Sequence, residues 1–150
     1  VAATPAEAVA EVPVVAVVEG INIKPFFMKI KLHEIELGVT NPNASKEFYR
    51  SLPGMSMSVD QPALKVFHSG IPQLDLNFST HLGQGEAMLS FICDDLEAAM
   101  ELLSNKNISF EGPVTSHLGM RSISFRDPGG YKVKINQASA DSPAWLQDLL

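Results

Sequence analysis

The chain holds one cysteine, one tryptophan and two tyrosines in 150 residues, and only 19% of it is charged. With Cys93 alone, no internal disulfide can form, and metal motifs that need two cysteines are excluded. A lone thiol is compatible with the cytoplasm, which is the expected compartment. Long apolar runs are also missing: nothing approaches the roughly 18 residues a membrane-spanning helix requires. Nor is there an excess of positive charge. Eleven Lys and Arg stand against seventeen Asp and Glu, a net charge of −6, so neither nucleic acid nor an anionic membrane surface is an expected partner. What remains is the composition of one globular domain, 45% apolar, with enough chain for a full core.

Residues 1–27 stand apart. They begin VAATPAEAVAEVPVVAVVEG, almost wholly Ala, Val, Pro and Glu, with no basic segment of the kind that opens a signal peptide. Glu7, Glu11 and Pro13 break the apolar character, so the segment reads as an arm or linker with a β-prone stretch at Val14–Val18. The Phe26-Phe27 pair that follows reads as an interface patch or the start of the core.

The rest of the chain repeats itself. HEIELGVTNPNASKEFYRSLPGM (33–55) and EAMLSFICDDLEAAMELLSNKN (86–107) each open as a strand, pass an Asx residue and become an amphipathic helix. Asn41 is a natural N-cap with Pro42 at the first helical position, where its missing N–H is harmless. Asp94 is the expected second cap, before Leu96, Ala99, Met100 and Leu103 at helical spacing. Strand-like segments follow each helix, at 55–60, 64–68 and 73–79, then at 108–111, 120–126 and 131–136. Turn residues separate them, above all Asp127-Pro128-Gly129-Gly130. The order β-α-β-β-β, twice, predicts an α+β fold: two pseudo-repeated βαβββ modules, about 28–80 and 86–137, forming a curved mixed sheet around a cup-shaped cavity. Residues 138–150 read as a short closing helix, with Ser142 as cap, Pro143 next, and Trp145, Leu146 and Leu149 as an apolar stripe.

Three pieces of this sequence carry a family resemblance. Val39-Thr40-Asn41, Phe48-Tyr49 and Leu52-Pro53-Gly54-Met55 form one. Cys93-Asp94-Asp95-Leu96-Glu97-Ala98 is the second, and Phe125-Arg126-Asp127-Pro128-Gly129-Gly130-Tyr131 the third. Together they span about residues 30–137 and resemble the vicinal-oxygen-chelate superfamily of glyoxalases, bleomycin resistance proteins and extradiol dioxygenases. The resemblance implies a homodimer, and in metal-using members it implies ligands on the first strand of each module and on the last strand. Those places hold Glu34, Met88 and Lys134 here. A thioether prefers soft ions and an ammonium is no ligand, so no metal and no other cofactor is expected.

Alternation gives an independent view of the cup. Residues two apart on a strand share a face. With Ile35, Leu37 and Val39 packed outward, Glu34 and Glu36 face inward; the same argument sends in Asp75, Asn77, Lys132 and Lys134, with Met88 and Ser90 near them. Ile30 and Leu32 have the opposite parity, which points to a bulge near His33 and leaves open which of His33 and Glu34 faces the cup. The plain reading is that Glu34 pairs with Lys134. His33, His68, His81 and His117 share no metal spacing and read as surface or rim residues, and Cys93 as packing.

Three functions are consistent with this pattern. The first is metal-free binding of a small polar organic ligand by Glu34, Glu36, Asp75, Asn77, Met88, Ser90, Lys132 and Lys134. The second is a lyase or isomerase of glyoxalase type, in which Glu34 or Glu36 moves a proton and Lys132 or Lys134 steadies an enolate-like oxygen. The third is a non-catalytic interaction module whose cup is closed by its own side chains.

Overall fold

The computed structural model describes residues 27–150; the arm and the β-prone stretch at 14–18 lie outside them. The first module runs β1 (Ile30–Gly38), α1 (Pro42–Arg50), β2 (Ser56–Gln61), β3 (Leu64–His68) and β4 (Asp75–Ser79). The second runs β5 (Ala87–Cys93), α2 (Leu96–Asn105), β6 (Glu111–Thr115), β7 (Arg121–Arg126) and β8 (Lys132–Gln137), and a short α3 (Ala144–Gln147) closes the chain. All eight strands form one sheet in the order β2-β3-β4-β1-β5-β8-β7-β6. Within each module the first and last strands pair in parallel, β1 with β4 and β5 with β8, while β1 and β5 join the modules antiparallel. The cup is thus completed within one chain.

Local chemistry sets the helix starts. Asn41 accepts the Ala44 N–H and Pro42 follows it, as expected. In the second module the cap is Asp95, whose carboxylate accepts the Ala98 N–H at 3.0 Å. Asp94 instead accepts the Lys29 N–H at 2.8 Å, tying the start of β1 to the end of β5. The third helix is capped by Pro143 and not by Ser142, whose hydroxyl accepts the Ser139 N–H. One strand also starts later than its sequence implies: β6 begins at Glu111 and is exposed along its whole length.

The two faces of the sheet are covered differently. Helix α2 lies on the outer face, where Leu96, Ala99 and Leu103 bury against Cys93, Ile123 and Ile135. Cys93 is 1% exposed, and burial pushes its thiol up to about 11. Helix α1 covers the first module through Tyr49, stacked on Phe78 at 4.3 Å and tilted against Phe67. On the inner face of the second module the chain's own C-terminal segment packs Leu146 and Leu149 onto Met120 and Ile92. Trp145 does not share that apolar stripe, being 60% exposed.

Gly38 ends β1 where the backbone of the inter-module loop crosses it. A Cβ there would lie 1.9 Å from the Gly83 carbonyl oxygen, and the crossing is fixed by hydrogen bonds from Gly38 to Glu86 and from Gly85 to Gly38. Gly54, by contrast, sits at φ +84 with open space where a Cβ would project. Gly38→Ala is expected to cost about 3 kcal/mol or more, because backbone and not a side chain must give way. Gly54→Ala should cost only the left-handed strain of roughly 1–2 kcal/mol. Urea unfolding of both variants tests this, and an equal loss for the two would contradict the close approach.

Candidate functional site

The central seam carries one irregularity. Leu32 pairs with Phe91 and Glu34 with Ser90, so two steps on β1 match one on β5 and His33 is the extra residue of a β-bulge. The bulge turns both His33 and Glu34 toward one cavity, so the choice between them posed by alternation does not arise. From Glu34 the register continues across the sheet as Asp75–Glu34–Ser90–Lys134, and two residues on as Asn77–Glu36–Met88–Lys132.

A cavity of about 260 Å³ lies over the first of these rows. Its polar wall comes from His33, Glu34, His68, Gln73, Asp75 and His117. Its apolar wall comes from Leu118 and Met120 and from the C-terminal segment, through Trp145, Leu146 and Leu149. Gln73 and Leu118 hold φ of 62 and 55, two of the three positive-φ residues other than glycine among the described residues. Such conformations persist only where the surroundings enforce them, and they gather at ligand sites.

The electrostatics of this cavity are unusual. Burial raises the Glu34 carboxyl from 4.5 to about 7; the charges of Asp75 and Glu36 add to the rise, and Lys134 and a hydrogen bond from Ser90 oppose it. Burial lowers His33 from 6.5 to about 4, with His117, Lys134 and Lys31 adding to the fall. His117 is lowered as well, first by burial and then by Lys134, with Glu36 opposing. Near pH 6 the one proton of this neighbouring pair therefore rests on the carboxyl and the imidazole is neutral. The Asn136 amide nitrogen lies 3.4 Å from His33 Nε2. Asn136 also donates to Ser90 and to the Phe91 carbonyl and accepts from Ser122, so His33 rests on a connected polar layer.

The other residues singled out in the sequence fall around this centre. Asp75 accepts a 2.9 Å hydrogen bond from His68 at the cavity wall. Glu36 is buried, accepts the Ser79 hydroxyl and lies 3.6 Å from His81 Nδ1. Asn77 is buried beside it, with its amide oxygen unpartnered. Ser90 is buried in the polar layer, and Met88 stands one row away, opposite Lys132. Lys132 lines a different groove and is 3.8 Å from Glu86. Among the described residues no ion pair within 4.0 Å joins Glu34 to Lys134. Ser90 is the closer partner, and the lysine acts through space. His33 is buried and is not a surface residue, whereas His117 is exposed at the cavity rim, as the rim reading has it. The parity break before Glu34 was the only mark of the first, and nothing local marks the second.

A metal does not fit these positions. Glu34, Met88 and Lys134 do not share one row, and the Lys134 charge is felt by both cavity histidines. Among the described residues no three His, Cys, Asp or Glu side chains are grouped to hold an ion.

Comparison with known proteins bears on the fold. The model of the Glyoxalase/Bleomycin resistance protein/Dioxygenase superfamily matches residues 31–135. A superfamily member from Vibrio splendidus 12B01 superposes with a TM-score of 0.55 at 15% identity, over 75% of this chain and 100% of that one. The methylmalonyl-CoA epimerase of Mycobacterium tuberculosis gives 0.53 at 14%, over 72% and 87%. The 2,3-dioxygenase LapB of Pseudomonas sp. KL28 gives 0.56 at 15%, over 73% of this chain and 42% of that larger one. At these identities the likeness is one of fold. No curated protein matches the sequence.

The pair Glu34 and His33 should leave opposite marks on stability. Below pH 4.5 the raised carboxyl contributes its full share, which is lost as pH rises through about 7. The lowered imidazole contributes above pH 6.5 and loses its share as pH falls through about 4. Relative to the wild type, Glu34→Gln should gain on the order of 3 kcal/mol between pH 4.5 and 7.5. His33→Gln should gain a comparable amount as pH falls from 7 to 4. Urea titrations across that range read both slopes, and parallel profiles for all three proteins would refute the assignment.

Proposed function

This chain belongs to the glyoxalase/bleomycin resistance protein/dioxygenase superfamily, and within that fold we propose that it binds a small polar organic ligand in the cavity over Glu34 without a metal. The observation that supports this most is the division of the cavity wall. Glu34, Asp75, His33 and His68 occupy the sheet side, and Met120, Trp145, Leu146 and Leu149 occupy the other. A site of that kind orients a ligand by a few polar contacts and holds its body by apolar ones. The volume of about 260 Å³ equals that of roughly nine liquid waters, so the ligand has on the order of ten heavy atoms. Glu34 is the central contact: uncharged it donates a hydrogen bond, and charged it pairs with a cation. Asp75, Ser90 and Lys134 lie along its row, and Glu36, Asn77, Met88 and Lys132 along the next. A homodimer and a cytoplasmic setting belong to the same reading; light scattering on the purified protein tests the first.

Trp145 is the only tryptophan and lines the cavity, so its fluorescence reports occupancy directly. A panel of hydroxy acids, keto acids and small amines should include compounds that change this emission saturably, with the effect lost in Glu34→Ala. Dialysis against Zn, Ni, Mn or Fe(II) should leave no stoichiometric metal. Emission that no compound perturbs, or a retained equivalent of metal, would overturn the proposal.

One observation favours a second reading. A half-buried carboxyl at about 7 in a cavity is suited to take a proton from carbon next to a carbonyl at neutral pH. Lys134, or His117 as a neutral donor, would stabilise the resulting enolate oxygen. In D2O, bound keto acids should then exchange their α-hydrogens in the wild type and at least about 100-fold more slowly in Glu34→Gln. Binding without exchange would leave sequestration as the function.

A further inference from the structure

The second cavity lies apart from Glu34. It is a groove of about 290 Å³ between the start of β5 and the β7–β8 turn, lined by Gly85, Glu86, Arg126, Gly130, Tyr131 and Lys132. In a chain with a net charge of −6, this groove gathers two cations against one carboxylate. The turn that carries them is firmly built. Asp127 accepts the Tyr131 N–H at its side chain and the Gly130 N–H at its carbonyl, and its own N–H donates to the Tyr131 carbonyl. Arg126 Nη1 donates to the Gly130 carbonyl at 2.6 Å, which fixes the guanidinium at the groove and leaves its other N–H groups outward.

The single carboxylate does not neutralise the groove. Glu86 is committed to the Gly83 N–H at 2.9 Å and stands 3.8 Å from Lys132 Nζ, a loose pair between half-exposed side chains. Tyr131, 56% exposed, lays its ring against the turn at Gly129, where a Cβ would come within 3.4 Å of it. A guanidinium, an ammonium and an exposed aromatic ring on a well-bonded turn are the elements that recognise an oxyanion on a planar body.

We infer that this groove is a second binding site, taking a phosphate or carboxylate between Arg126 and Lys132 and the attached ring on Tyr131. The site is independent of the cavity over Glu34, and its failure would leave that reading intact. Lys132 reaches it because it opens β8, opposite Met88 in the row that runs through Glu36.

Phenyl phosphate, inorganic phosphate and benzoate are the probes, titrated into 15N-labelled protein and followed at the Gly129, Gly130 and Tyr131 amides. At least one of the ring-bearing anions should bind saturably, with Kd of about 1 mM or tighter. Phenyl phosphate ahead of benzoate assigns the site to phosphate, and the reverse order to carboxylate. Lys132→Gln should weaken binding about tenfold, and Tyr131→Leu should erase the advantage of phenyl phosphate over inorganic phosphate. Glu86→Gln keeps an oxygen for Gly83 while removing the competing charge, so it should tighten binding severalfold; this gain separates the site from any general loss of fold. Shifts that fail to saturate below about 10 mM, or affinities indifferent to both Lys132→Gln and Glu86→Gln, overturn the inference.

Discussion

One extra residue in the central seam governs this molecule. The antiparallel pairing of β1 with β5 joins the two modules, and a regular ladder there would send only one of His33 and Glu34 inward. The bulge sends both. It also resets the parity of β1, so that Leu32 before it and Ile35 after it both serve the apolar side while the acidic residues behind it face the cup. Without it, the sheet would have to hide either a histidine among leucines or a carboxylate among the helix contacts, and either would be costly in an unpaired state.

From that constraint the electrostatics follow. Two neighbouring ionisable groups are taken out of water at the same point, and Asp75, Glu36 and Lys134 decide how the remaining charge is shared. The result is a site in which the Glu34 carboxyl and the His33 imidazole are both pushed toward their uncharged forms. This hydrogen-bonding surface is faced by methionine, leucine and tryptophan. The two modules differ in this respect. The inward row of the first ends in carboxylates and the equivalent row of the second in lysines, so the repeat is one of backbone and not of chemistry.

Much of the fold was legible because its signals are local. Asn41-Pro42, the Leu96–Leu103 periodicity and the Asp127–Gly130 turn each encode a start, a face or a stop within a few residues, and the repeated order of such signals implies the two modules. Boundaries were less secure where two neighbours compete. Asp94 and Asp95 are both able to cap, and tertiary pairing with Lys29 decided between them. The cavity was only half readable. Alternation places Glu34 and Asp75 on one row, but it is silent about elements brought from elsewhere in the chain. His117 and Trp145 reach the site through a turn and a terminal helix, and no periodicity relates either of them to β1. The parity conflict around His33 was visible, yet parity alone cannot say that a bulge turns both neighbours the same way.

Cys93 stands where three parts of this architecture meet: it ends β5, pairs across the seam with Ile30, and lies beneath α2. It is also the chain's sole thiol, sealed from solvent and held protonated at ordinary pH. A thiol-reactive reagent in water therefore finds nothing to modify until the seam and helix separate together. The rate at which this protein consumes such a reagent is a built-in clock for that separation, and it needs no engineered label.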